Sequence, residues 1–142
     1  MAGFITSDGA VYLARLATQR VLPPAQYWLT LTRSVPAPFL STEELDEIDA
    51  PDYARAPIAA DGLSWAASGT TVANTVEVLW GVPGADWGDV QGWALLDSPQ
   101  GGSVLYGGDL GITWTIGAGM QPVMAPGQLN LSITVSSWAL EI

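Results

Sequence analysis

From Tyr27 onward, apolar side chains recur at every second position in short runs, and Gly or Pro separates one run from the next. A period of two puts alternate side chains on opposite faces of a pleated strand. The pattern therefore restricts the chain to sheets built from many short strands. Leu129-Asn130-Leu131-Ser132-Ile133-Thr134-Val135 is the clearest case, apolar at each odd position. The phase then changes, with Trp138, Leu140 and Ile142 at even positions, which calls for a bulge or corner at Ser136-Ser137. Residues 27–32 alternate once Trp28 shares the outer face with Thr30 and Thr32. Residues 72–80 read as one strand with Val72, Val76, Val78 and Trp80 on one side and Thr75 and Glu77 on the other. Residues 90–96, 104–106 and 112–116 are further strands, and Asp97-Ser98-Pro99-Gln100-Gly101-Gly102 is a hairpin loop between two of them.

Before these strands the period is 3.6. Residues 7–20 form one helix, capped by Ser7 or Asp8, with Tyr12, Leu13, Leu16 and Ala17 on one face and Arg15, Gln19 and Arg20 on the other. Pro23-Pro24 stops it, because proline lacks the N–H a helix needs and clashes with the preceding turn. The expected fold is mainly β, an antiparallel β-sandwich or flattened barrel with one short N-terminal helix. Residues 1–142 make a single domain: the helix at 7–20, then the sandwich over 26–142 with a long acidic loop at 34–52.

Composition excludes several function classes. There is no Cys, His or Lys, so the usual nucleophiles, near-neutral bases and N or S metal ligands are missing. No catalytic residue, metal site or cofactor site is assigned, and the chain is expected not to be an enzyme. Fourteen acids against four scattered arginines give a net charge of −10, which phosphate backbones would repel, so no nucleic acid is expected. No apolar run reaches the roughly 20 residues that span a bilayer, and no signal peptide is apparent. Charged residues are only 13% of the chain, against roughly a quarter in typical domains. Part of the apolar surface is therefore expected to meet other subunits, in a homo-oligomer or a larger assembly.

Three features carry chemistry in principle. The run Glu43-Glu44-Leu45-Asp46-Glu47-Ile48-Asp49 collects carboxylates as a calcium loop would, but it lacks the EF-hand spacing and reads better as a solvated loop or a short helical turn. Asp86, Asp89, Asp97 and Asp109 lie in Gly-rich turns, where Asp ordinarily bonds its own backbone. Of the seven Trp, Trp80, Trp114 and Trp138 fit core or interface positions. Trp65, Trp87 and Trp93 lie near turns and could be exposed for stacking sugars.

The order of short blocks carries a resemblance. Asp52-Tyr53-Ala54-Arg55 is followed by Trp65-Ala66-Ala67-Ser68-Gly69-Thr70-Thr71 and Ala73-Asn74-Thr75. Then come Ala85-Asp86-Trp87-Gly88-Asp89-Val90 and Gly101-Gly102-Ser103-Val104-Leu105-Tyr106-Gly107-Gly108. From Ser7 to Ile133 the chain resembles a family of small bacteriophage virion structural proteins, of tail-fibre, minor structural or head-decoration type. These carry Tyr-Ala-Arg, Asp-Trp-Gly-x-Val and Gly-Gly-x-Leu-Leu-x-x-Gly blocks in this order. The loop before Asp52 is longer and more acidic than that pattern, and the tail after Val135 has no counterpart in it.

The resemblance implies a subunit made in the host cytoplasm and carried on the virion exterior, as a capsid decoration or a tail or fibre-associated protein. Its partners would be other capsid or tail subunits. Arg55, paired with a carboxylate near Asp52, Asp86 or Asp89, and Trp87, packing its turn, are the expected structural anchors. Trp138, Leu140 and Ile142 are the expected assembly contacts, by strand addition to a neighbour's edge, the alternative being an ordinary edge strand of the chain's own sheet. The alternative is a carbohydrate-binding module that recognises host-surface glycans.

Overall fold

The computed structural model describes residues 2–18, 25–37, 42–61, 63–69 and 71–132. Trp138, Leu140, Ile142 and the corner expected at Ser136-Ser137 lie outside the described residues, as do Arg20 and Pro23-Pro24. In chain order the elements are β1 (Ala2–Ile5), α1 (Ser7–Ala17), β2 (Gln26–Thr32), β3 (Ala56–Ala59), β4 (Trp65–Ser68) and β5 (Thr71–Asn74). They continue with β6 (Val78–Leu79), β7 (Gly88–Leu96), β8 (Val104–Ile116), β9 (Val123–Met124) and β10 (Asn130–Ser132). Eight strands form one sheet in the order β3-β2-β7-β8-β1-β10-β5-β4, and β6 pairs with β9 in a second small sheet. The mainly β class, with a single α-helix among the described residues, is as the sequence implies.

The large sheet curls. The indole N–H of Trp65, on the edge strand β4, donates to the carbonyl of Ala59 at the end of β3, the opposite edge, over 2.8 Å. Two edges that meet in this way turn an open sheet into a flattened half-barrel, and one continuous core fills it. Leu29, Leu31, Val78, Trp80, Val90, Trp93, Met124 and Leu129 are all essentially inaccessible there. A smaller cluster of Leu45, Ala94, Leu96 and Val104 packs apart from this core. From Gly92 to Leu96 strand β7 is therefore buried on both sides, which explains its run of apolar residues from Trp93 to Leu96.

A row of three residues sets how closely β7, β8 and β1 approach. Trp93 lies opposite Gly108, and Gly108 lies opposite Gly3. The Trp93 ring extends over both glycines, and a Cβ placed on Gly108 would fall 2.6 Å from its Cε2. The indole fills the space that two absent side chains leave. For this reason Gly107-Gly108 is not a turn between two short strands, as the sequence pattern implied, but the interior of one thirteen-residue strand. The strand bends farther on. Gly92 pairs with Asp109 while Val90 pairs with Trp114, so extra residues of β8 bulge out around Gly111, at φ +84°.

Other expectations need correction. Thr30 and Thr32 are fully buried rather than outward, because the segment after residue 42 covers their side of β2. Residues 72–80 are not one strand. They divide into β5 and β6 at buried Asn74, and Val76 is exposed. The N-cap of α1 is Thr6 rather than Ser7 or Asp8, since its Oγ1 accepts from Gly9 N at 2.9 Å. Thr6 also hands its hydroxyl proton to the carbonyls of Val104 and Leu105, and its own N–H to Leu105 at 2.9 Å. Gly9 then lets the helix backbone rest on Leu105, where any side chain would collide with the carbonyl. Leu13, placed on the packed face by periodicity, is partly exposed.

Replacing Gly108 with Ala should lower stability by about 1–3 kcal/mol, the range for overpacking a filled core. Urea denaturation monitored by circular dichroism would read this as a lower midpoint with an unchanged slope.

Candidate functional site

The segment between β2 and β3 is held to the sheet by one buried cation. Arg55 donates through Nε to Glu47 Oε2 at 3.0 Å and through Nη2 to Glu47 Oε1 at 2.6 Å, a two-pronged ion pair. Its Nη1 donates to the carbonyls of Ser98 and Gly101 at 2.8 and 2.9 Å, which fixes the β7–β8 hairpin loop. The Arg55 side chain is 6% exposed and that of Glu47 25%. The partner of Arg55 is thus Glu47, and not a carboxylate near Asp52, Asp86 or Asp89.

A chain of hydroxyls extends from this pair. Thr30 is 2.5 Å from Glu47 Oε2 and 2.7 Å from the Tyr53 hydroxyl, and Leu31 N–H donates to Tyr53 at 2.9 Å. A carboxylate only accepts, so Thr30 gives its proton to Glu47 and Tyr53 gives its proton to Thr30. Burial of Glu47 favours its neutral form, but bonds from Arg55 and Thr30 outweigh it, and the carboxyl ionises below its ordinary value. Burial pushes the Tyr53 hydroxyl the other way, above the usual tyrosine range.

Beside it, Asp52 Oδ1 accepts from the Trp87 indole at 2.9 Å and Oδ2 accepts from Gly84 N–H at 2.6 Å. Trp87 is buried and stands edge-on to Tyr53, ring centres 5.1 Å apart. The Asp-Tyr-Ala-Arg block, the Asp-Trp-Gly block and the Gly-Gly block therefore meet in one latch. Within the acidic run Leu45 and Ile48 are buried while Glu43, Glu44, Asp46 and Asp49 face water, so it is only in part a solvated loop. Its helical portion is a short 3-10 turn at Thr42–Glu44.

Asn74 forms a second clasp. It donates to the carbonyls of Val76 and Ala125 at 2.8 and 3.1 Å and accepts from Gly127 and Leu129 N–H at 3.1 and 2.9 Å. Asp97 and Asp109 serve their own loops, accepting from Ser103 and Gly111 N–H, while Asp86 ties its turn to a distant one by accepting from Ala118 N–H, each at 2.8 Å. Asp89 accepts from the Thr115 hydroxyl at 2.7 Å. Among the described residues no three carboxylates converge as metal ligands would.

Two surface features remain. A pocket of about 330 Å³ opens at the mouth of the curled sheet, beneath α1. Tyr12, Tyr27, Trp65 and Tyr106 line it, with buried Leu95 and Leu131 at its base and exposed Asp61 at its rim. The second is a set of exposed apolar residues from β6 and the segments flanking β6 and β9, Leu79, Val82 and Met120, at 46, 58 and 57% exposed. Bonds from Gly119 N–H to the Pro83 carbonyl and from Trp80 N–H to the Pro122 carbonyl hold its parts together. Of the three Trp expected near turns, Trp87 and Trp93 are interior and Trp65 alone borders the pocket. Glu47, Thr30 and Asn74 were not foreseen as partners. The signal for Glu47 was the need of an arginine next to an apolar strand for an acid within reach.

Fold and sites together define the class first: a curled β module with one helix across its mouth, whose loops are tied down by buried polar side chains. Residues 10–132 match the family model described as Podophage GP4 fiber I protein gp80, and the chain belongs to this family of phage fibre proteins. This agrees with the phage virion structural family that the sequence blocks resemble. No curated protein matches the chain, and among the described residues no helix is long and apolar enough to cross a membrane.

Removing the latch cation by Arg55→Met should cost about 3 kcal/mol, the lower end for breaking a buried pair, because Glu47 keeps some water. Glu47 ionises more readily folded than unfolded, so its contribution is full above its ordinary value of 4.5 and is lost as pH falls through the lower folded value. Urea midpoints measured across that acid range should therefore fall less steeply in Glu47→Gln than in the parent.

Proposed function

We propose that this chain is a fibre-associated structural subunit on the virion exterior, which works by binding other virion subunits and not by catalysis. The observation that carries the reading is the exposure of Leu79, Val82 and Met120, on a chain whose family is a phage fibre family. Exposed apolar area of this kind gains by burial against a neighbour, at roughly 25 cal/mol per Å². The nearest polar groups are already committed to local bonds, as Gln121 Nε2 is to the Trp80 carbonyl at 2.8 Å. A neighbour would therefore meet few groups in need of water. Copies of the same chain and other fibre subunits are the partners. The turn aspartates, each spent on a bond within the fold, support a structural rather than a catalytic role.

Particles produced with Val82→Asp and Met120→Asp should lack the protein, or carry much less, while the isolated variant melts at the temperature of the parent. Immunogold microscopy of purified particles gives the readout, with label at the fibres of the parent expected. Label spread over the head would make it a capsid decoration instead. Unchanged incorporation of the double variant would move the contact surface elsewhere.

A further inference from the structure

We propose that the pocket at the mouth of the curled sheet is a binding site for a methylated ammonium group of the trimethylammonium type. Four aromatic rings border one opening of about 330 Å³: Tyr12 from α1, Tyr27 from β2, Trp65 from β4 and Tyr106 from β8. Tyr12 and Tyr27 pack against each other edge-on, at 80° with ring centres 6.5 Å apart, which fixes both rings at the border of the pocket. Trp65, which lines the pocket, has its indole N–H engaged by the Ala59 carbonyl and is fixed in place. The faces of such rings carry negative potential and attract cations, most strongly where water is excluded.

Charge favours the same occupant. Asp61 stands at the rim, and the described lining holds no basic residue. The Asp61 carboxylate is bonded by the Ser64 hydroxyl and, at one oxygen, by the Ser64 and Leu63 N–H groups at 2.8 and 3.1 Å, and these bonds hold it ionised below its ordinary range. The chain as a whole carries −10, which raises the local concentration of cations. A quaternary ammonium is weakly hydrated and needs no hydrogen bond, so an apolar base of Leu95 and Leu131 suits it. A sugar ring would require several donors and acceptors, and the lining offers few beyond tyrosine hydroxyls and Asp61. The mouth of a curled sheet is a common position for a small-ligand site.

Calorimetric titration of the full chain with tetramethylammonium and with choline, at constant ionic strength, tests this. The expected result is saturable one-to-one binding of both. The neutral isostere of choline, with carbon in place of nitrogen, should bind about tenfold more weakly. Trp65→Ala should weaken choline about tenfold, and Tyr12→Leu serves instead if that variant does not fold. Asp61→Asn, whose side-chain oxygen can still accept from Leu63 and Ser64, should weaken choline roughly threefold and reduce its salt dependence. No saturable binding by the folded parent would overturn the proposal. Equal binding of the isostere, saturation by N-acetylglucosamine in place of the cations, or full affinity in both aromatic variants would overturn it too.

Discussion

A guanidinium taken out of water must meet a carboxylate, and much of this fold is arranged around that one demand. Arg55 can be buried only if Glu47 comes to it, which brings the acidic segment down onto β2 and seats Leu45 and Ile48. Its remaining N–H groups require two carbonyls, and the hairpin loop at Ser98 and Gly101 supplies them. Apolar residues of the same volume could hold these segments with comparable strength. They could not set register, because a greasy contact tolerates slippage and a forked ion pair does not. The latch fixes which residue of each loop lies over which strand.

The glycines have the complementary role. Gly3 and Gly108 leave a trough that only a large flat ring fills, and Trp93 on the next strand provides it. Gly9 does the same for the helix, seating its backbone on Leu105. Together these contacts decide that α1 lies close across one end of the curled sheet and that a mouth lined with aromatic rings remains beside it. The pocket thus follows from where side chains are missing as much as from where they are present.

Period and turn chemistry are local, and what depends on them was legible: the β class, the single helix, the hairpin loop and the buried position of Trp80. What was misread depends on tertiary cover. Thr30 and Thr32 look outward when one assumes water on the second face of β2, and a linker of distant sequence replaces that water. Gly107-Gly108 reads as a turn until the Trp93 ring is known to lie over it. A single Asn with four bonds broke an apparently continuous strand at position 74. The sequence singled out Arg55 and Trp87 as anchors. It could not select their partners, because fourteen acids compete and only the fold measures distance.

Strand β1 lies in the middle of the sheet, between β8 and β10, and its pairing with β10 is parallel, Ala2 to Asn130 and Gly3 to Leu131. Strand β1 therefore has to wait for β10, far along the described chain, before the sheet can close. Until β10 is in place, β5 and β4 lack their backbone pairing to β1, and the Trp65 indole bond to Ala59 has no closed sheet to complete. Loop closure over so long a span makes folding slow relative to helical domains of this size. Once closed, the sheet carries this parallel seam at its centre, where neighbouring strands shield it, and not at an edge.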